Sequence, residues 1–133
     1  MNDKLQYLSP EWRDQAEQKL KAELTPERMN HITSSMSNIY THCPDGKDRY
    51  LFFNYENGAL KDLLAGQGDP PLAEFRITGD YETFAKITRA ELSSQKALMT
   101  MKLKLRGNMI KALKLASVAD RLNKVLSGIP TNY

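Results

Sequence analysis

Residues 99–108 read MTMKLKLRGN, and no other stretch constrains the fold as tightly. Met99, Met101, Leu103 and Leu105 alternate with Thr100, Lys102, Lys104 and Arg106. A period of two predicts a β-strand with one dry face and one wet, basic face. The dry face must pack on a second layer, of helices or of another sheet. Whether that face covers an ordinary core or a cavity is the question the rest of the chain has to answer.

Helix signals supply the second layer. Ser9-Pro10-Glu11 predicts a helix start: a capping hydroxyl, a proline at the first helical position and an acid near the positive end of the dipole. Trp12, Ala16, Leu20 and Leu24 follow at four-residue spacing, and Thr25-Pro26-Glu27 repeats the start signal for one more short helix. Asp80 is placed to cap a helix over 81 to about 88 that turns Phe84 and Ile87 inward. Residues 93–98 suit a short helical turn. Asn108 caps a last helix that runs to about 126, with Gly128 close to its end. One side of that helix carries Lys114, Ser117, Arg121 and Lys124. The other carries Ala112, Leu115, Ala116, Ala119, Leu122 and Leu126, and the three alanines imply either close packing on a sheet or a gap.

Strands fill the middle of the chain. Residues 34–43 (SSMSNIYTHC) alternate weakly, Cys43-Pro44-Asp45-Gly46 turns, and residues 49–55 (RYLFFNY) are aromatic-rich and short. Asn57-Gly58 predicts a tight hairpin into a strand over 59 to about 64. A breaker loop follows at 65–71, then a strand over 72–78 that ends at Gly79-Asp80. The expectation is an α+β fold: a five-stranded antiparallel or mixed sheet with helices packed on one face. It forms one domain over 1–133, with a helical segment at about 10–32 and the sheet and helices at about 35–128.

Composition excludes several classes. The chain has 133 residues and a formal net charge of +3, too little to point to nucleic acid. That charge allows at most weak contact with an anionic membrane surface. Cys43 is the only cysteine, so no internal disulfide forms and a cytoplasmic location is expected. The first twelve residues lack the apolar core of a signal peptide, and no run is long enough to span a membrane. His31 and His42 are not spaced as metal ligands, and Cys43 has no paired histidine signature. No nucleophile elbow, zinc-binding or phosphate-loop motif occurs. The reading is therefore of a protein that is not an enzyme, with no catalytic residues, metal or cofactor. The ridge of Lys102, Lys104 and Arg106 reads first as a solvated strand face that discourages edge pairing, and second as a patch for phosphate or anionic lipid.

Three stretches taken together resemble the sterol carrier protein 2 family: AEFRITGDYETFAKI at 73–87, KALMTMKLKLRGN at 96–108 and the helix that opens MIKALKL. The similarity is good over about 73–126. The N-terminal half matches in the order of its elements and in the CPDG turn. Two positions depart from the family's pattern: Met101 stands where the family often has glycine, and Asn108 where it often has aspartate. The resemblance implies a twisted five-stranded sheet, packed helices and a hydrophobic tunnel between the layers. It also implies non-enzymatic binding, with or without transfer, of a fatty acid, fatty acyl-CoA or sterol. Pattern alone favours a plain core, because Met99, Met101 and Met109 fill gaps as readily as they adapt to a ligand. The resemblance turns the balance toward a ligand cavity. A tunnel of roughly 300 Å³ left empty would cost about 7 kcal/mol, so it must be filled or its lining must be rigid enough elsewhere to tolerate it. Leu51, Phe53, Phe75, Ile77, Met99, Met101, Leu103 and Leu105 would line it from the sheet, and Phe84, Ile87, Leu115 and Leu122 from the helices. Met101 would then reshape the cavity, and Lys111 would lie near its mouth. The rival reading is an accessory module that docks a partner enzyme, with a filled core and no lipid.

Overall fold

The computed structural model describes residues 4–133. Met1, Asn2 and Asp3, which begin the stretch read as lacking a signal-peptide core, lie outside the described residues. Helix α1 (Pro10–Glu23) starts where the local chemistry demands: the Trp12 amide donates to Ser9 Oγ at 3.2 Å, and Pro10 needs no amide partner. It buries Trp12, Ala16 and Leu20. No second helix forms at Thr25-Pro26-Glu27. Met29 and His31 donate their amides to the carbonyls of Thr25 and Pro26, which makes one turn. Asn30 and His31 then take φ of 53° and 49°, and the helical path ends.

Strands β2 (Ser34–Thr41), β3 (Arg49–Glu56) and β4 (Ala59–Gln67) form a meander. Asn57 and Gly58, at φ of 49° and 80°, make the tight turn between β3 and β4. β4 runs three residues past its expected end. Its partner β3 begins at Arg49, opposite Gln67, and Gly66 leaves room for the Tyr50 ring. The connection to β5 (Phe75–Asp80) crosses the sheet face away from the helices, where the Ser37 hydroxyl donates to the Pro71 carbonyl at 2.7 Å. Pro70 and Pro71 cannot donate to a ladder, so β5 starts later than residue 72, and Leu72 is fully exposed.

The sheet order is β4-β3-β2-β5-β6, where β6 is Lys104–Arg106, with β2 and β5 parallel and the other pairs antiparallel. Helices α2 (Tyr81–Thr88), α3 (Ser94–Met99) and α4 (Met109–Leu126) join α1 on one face of it. Two further short strands, β1 (Leu5–Gln6) and β7 (Thr131–Asn132), pair in parallel and tie the two ends of the described chain together.

The Asp80 carboxylate caps α2, accepting from the Thr83 amide at 2.7 Å. Hydrogen bonding from Thr83 holds its pKa below the ordinary 3.8. The folded-state value is depressed, so the stabilisation is present above 3.8 and is lost as pH falls through the lower folded value. Asp80→Ala is expected to cost about 1 kcal/mol near neutral pH and less in acid, read from urea unfolding at several pH values.

The long strand expected at 99–108 is corrected. Only Lys104–Arg106 form β6, opposite Arg76, Ile77 and Thr78 of β5. The Ser93 hydroxyl accepts from the Lys96 amide at 3.1 Å and starts α3, which absorbs Met99. The amides of Lys102 and Leu103 both donate to the Ala97 carbonyl, which closes the helix around Met101. Met101 has φ of 61° and is 82% exposed; Met99 is 66% exposed. Neither faces the interior. The glycine that the resemblance implied at 101 thus has a conformational reason, because a left-handed residue costs about 1 kcal/mol unless it is glycine. Met101→Gly is expected to leave stability unchanged or raise it by up to about 1 kcal/mol, since the flexibility it adds to the unfolded chain offsets part of the relief. Chemical denaturation decides this, and a clear loss of stability would refute it.

Candidate functional site

Between the sheet and the helices lies an apolar cavity of about 110 Å³. Its sheet wall comes from alternate residues of β2, β3 and β5: Met36, Asn38 and Tyr40; Leu51, Phe53 and Tyr55; Phe75 and Ile77. Phe84 and Ile87 of α2, Leu98 of α3 and Leu103 enter from the side, and Met29 and Ile32 close one end. The roof is α4, through Ala112, Leu115, Ala116, Val118, Ala119 and Leu122. The alanines that left two readings open therefore face a gap. Ile32, Ser34, Met36, Leu115 and Ala119 are only partly buried, so the cavity reaches the surface between α4 and the first half of β2.

Of the residues expected to line it, Leu51, Phe53, Phe75, Ile77, Phe84, Ile87, Leu103, Leu115 and Leu122 come together around this space. Met99, Met101 and Leu105 do not. The two methionines point outward for the reasons given above, and Leu105 is half-buried on the edge strand, opposite Ile77. Lys111 forms an ion pair with Glu74 beside the partly exposed end. There Glu74 also accepts from Ser34 Oγ at 2.7 Å. Lys111 and Ser34 together hold the Glu74 pKa below its ordinary value.

The polar residues of the wall divide into two kinds. Tyr40 and Thr88 are satisfied: the buried Tyr7 hydroxyl lies 2.9 Å from the Tyr40 hydroxyl and 2.6 Å from Thr88 Oγ1. Burial raises the pKa of both tyrosines, so these groups stay neutral. Asn38 Oδ1 and the Tyr55 hydroxyl are different, because both are buried and have no hydrogen-bond partner among the described residues. Burial also raises the Tyr55 pKa, which keeps a hydroxyl rather than a phenolate in the wall. Tyr55 sits opposite Ser34 in the ladder, four residues along β2 from Asn38, which separates the two backbones by roughly 13 Å along the cavity. Neither residue stands out in the sequence. The available signal is an asparagine in register with Met36 and Tyr40, on the side of β2 that faces the helices.

Other candidate chemistry is thin. Cys43 is buried, its thiol donating to the Tyr40 carbonyl at 3.4 Å, and its pKa is raised by burial. His31 and His42 are exposed on turns. Among the described residues no cluster of His, Cys, Asp and Glu is arranged to hold a metal, and no helix is long and apolar enough to cross a membrane.

A mixed sheet under a helical roof, with a partly open apolar cavity between them, defines an α+β class of domain that encloses apolar ligands. The chain belongs to the SCP-2 sterol transfer family, which it matches over residues 12–120. This places it among lipid-binding and lipid-transfer domains. A crystal structure of sterol carrier protein 2 shares the fold with a TM-score of 0.80 at 22% identity, covering 93% of this chain and 99% of that one. The solution structure of a conserved hypothetical protein from Thermus thermophilus also superposes with a TM-score of 0.80, at 23% identity, covering 96% and 92%. The solution structure of palmitated sterol carrier protein 2 like 2 from Aedes aegypti gives 0.58 at 21% identity, covering 84% and 94%. No curated protein matches the sequence.

Proposed function

We propose that this chain reversibly binds one long-chain lipid without chemical conversion, with the apolar part in the cavity and an oxygen-bearing group that accepts from the Tyr55 hydroxyl or donates an O–H to Asn38 Oδ1. The observation that carries this reading is the pair of buried, unpartnered polar atoms in the wall of a mainly apolar cavity. Each such atom costs about 1–3 kcal/mol when left unsatisfied. The empty cavity costs about 3 kcal/mol more at about 24 cal/mol per Å³. Whole domains hold only about 5–15 kcal/mol, so an occupant that fills the space and meets these atoms gives the protein much of what its core lacks. Each methylene buried contributes about 0.8 kcal/mol. The resting cavity takes part of an acyl chain; a longer one requires Met29 and Met36, unbranched and adaptable, to move aside. The palmitate carried by the mosquito protein of the same fold supports a fatty acyl ligand.

Native mass spectrometry of protein purified from its own host, with displacement of a fluorescent fatty-acid probe, tests the proposal. One lipid per chain and displacement by free fatty acid are expected; neither lipid nor displacement overturns it and favours the accessory-module reading. Tyr55→Phe and Asn38→Leu separate polar recognition from apolar burial. Each is expected to stabilise the empty protein or leave it unchanged, because a buried unsatisfied group is removed. Affinity for the oxygen-bearing ligand is expected to fall about tenfold in the variant that loses the anchoring group.

A further inference from the structure

From residue 92 to residue 119 the chain contains no aspartate or glutamate, yet it carries Lys96, Lys102, Lys104, Arg106, Lys111 and Lys114. The whole chain is +3, so this stretch holds +6 and leaves −3 for the rest. All six cations are exposed. Among the described residues only Lys111 of the six has a carboxylate within ion-pair distance. On α1, by contrast, Arg13, Lys19 and Lys21 are all paired. The two acids that bracket the stretch do not neutralise it. Glu91 pairs with Arg89, and Asp120 accepts from the Ser94 amide.

The same stretch holds most of the large apolar side chains that the fold leaves in water. Met99, Met101, Met109 and Ile110 are 66%, 82%, 44% and 69% exposed. They occupy one corner of the molecule. β6 is the edge strand of the sheet and only three residues long; Met99 and Met101 lie just before it, Met109 and Ile110 just after. The chain bends sharply at each end of β6, at Met101 (φ 61°) and Gly107 (φ 134°), and α3 packs on α4.

We propose that this corner, formed by the end of α3, β6 and the start of α4, docks on an anionic membrane surface. Flexible apolar tips flanked by cations, of which only Lys111 is ion-paired among the described residues, fit a lipid interface: the tips enter the acyl boundary while the cations meet negative headgroups. A nucleic acid fits less well, because residues 92–119 contain no aromatic side chain on which a base would stack. The position suits delivery. α4 begins at this corner, and its next turns supply Leu115 and Ala119 to the partly exposed edge of the cavity. The docking surface stands on charge and exposure alone; only its use for lipid delivery rests on the lipid-binding reading.

Flotation of the full chain with vesicles tests it, comparing pure phosphatidylcholine with a mixture containing phosphatidylglycerol. Binding is expected on the anionic vesicles, about tenfold weaker on neutral ones, and reduced by added salt. The pair Met101→Asp with Ile110→Asp, and the triple Lys102→Glu, Lys104→Glu, Arg106→Glu, are each expected to lower vesicle binding about tenfold or more. All five side chains are exposed, so melting temperature and fatty-acid probe binding in vesicle-free solution should not change in either variant. Equal binding to both vesicle types, no binding to either, variants that float like the parent chain, or preference for single-stranded DNA over anionic vesicles would overturn the proposal. Loss of probe binding in the parent chain would instead remove the lipid-binding reading and leave docking intact.

Discussion

Trp12→Ala is expected to destabilise the protein by about 3–5 kcal/mol, the largest loss from any single truncation here. Trp12 is fully buried on α1. Its ring meets Tyr7 edge-on, with centroids 5.0 Å apart, and its indole N–H donates to Thr131 Oγ1 at 3.2 Å. One side chain thus joins α1, the segment after β1 and strand β7. Truncation leaves a large void, removes an aromatic pair and takes one hydrogen bond from the Thr131 hydroxyl, which keeps its bond to the Ile129 carbonyl at 2.7 Å. The void also lies next to the Tyr7 ring, whose hydroxyl serves Tyr40 and Thr88 in the cavity wall. Trp12→Phe separates these effects: it keeps most of the ring and gives up the hydrogen bond, for about 1–2 kcal/mol. Urea titrations of the three proteins provide the check. A loss below about 1 kcal/mol for Trp12→Ala would mean that α1 adds little to the global fold.

What could be read from sequence follows the range of the interactions involved. Ser9, Asp80, Ser93 and Asn108 each accept a hydrogen bond from an amide three residues on, so four helix starts follow from four short words. Asn57-Gly58 fixes its hairpin in the same local way. Alternation misplaces Met99 and Met101 when it is weighed without that competing cap: once Ser93 starts α3, residue 99 is already helical and residue 101 is the turn out of it. β1 and β7 carry no local signal, since two-residue strands form only when the distant ends of the chain meet. The site divides in the same way. Its apolar wall is visible as periodicity in Leu51, Phe53, Phe75, Ile77, Phe84 and Ile87. Its polar atoms are not, because whether Asn38 and Tyr55 are orphaned depends on the register of three strands and on what α4 lacks above them.

What α4 lacks is the basis of the remaining prediction, that Ala116→Phe weakens lipid binding at least about tenfold without unfolding the protein. Ala116 lies at the middle of the roof, 3% exposed, with Ala112 a turn before it and Leu115 and Ala119 beside it on the cavity edge. A ring placed there enters a space of about 110 Å³. Filling that space recovers up to about 3 kcal/mol of cavity cost. Imperfect fit against Phe53 or Leu122 returns about 1–3 kcal/mol of strain. The two nearly cancel, so the melting temperature should move by only a few degrees. The ligand has no such compensation, because the ring occupies the volume its chain would need. Affinity for a fluorescent fatty-acid probe is expected to fall by at least about tenfold. Ser117→Phe, one residue on and exposed, is the control and should bind like the parent chain. If Ala116→Phe keeps full affinity while the melting curve shows a folded protein, the ligand sits somewhere other than between the sheet and α4.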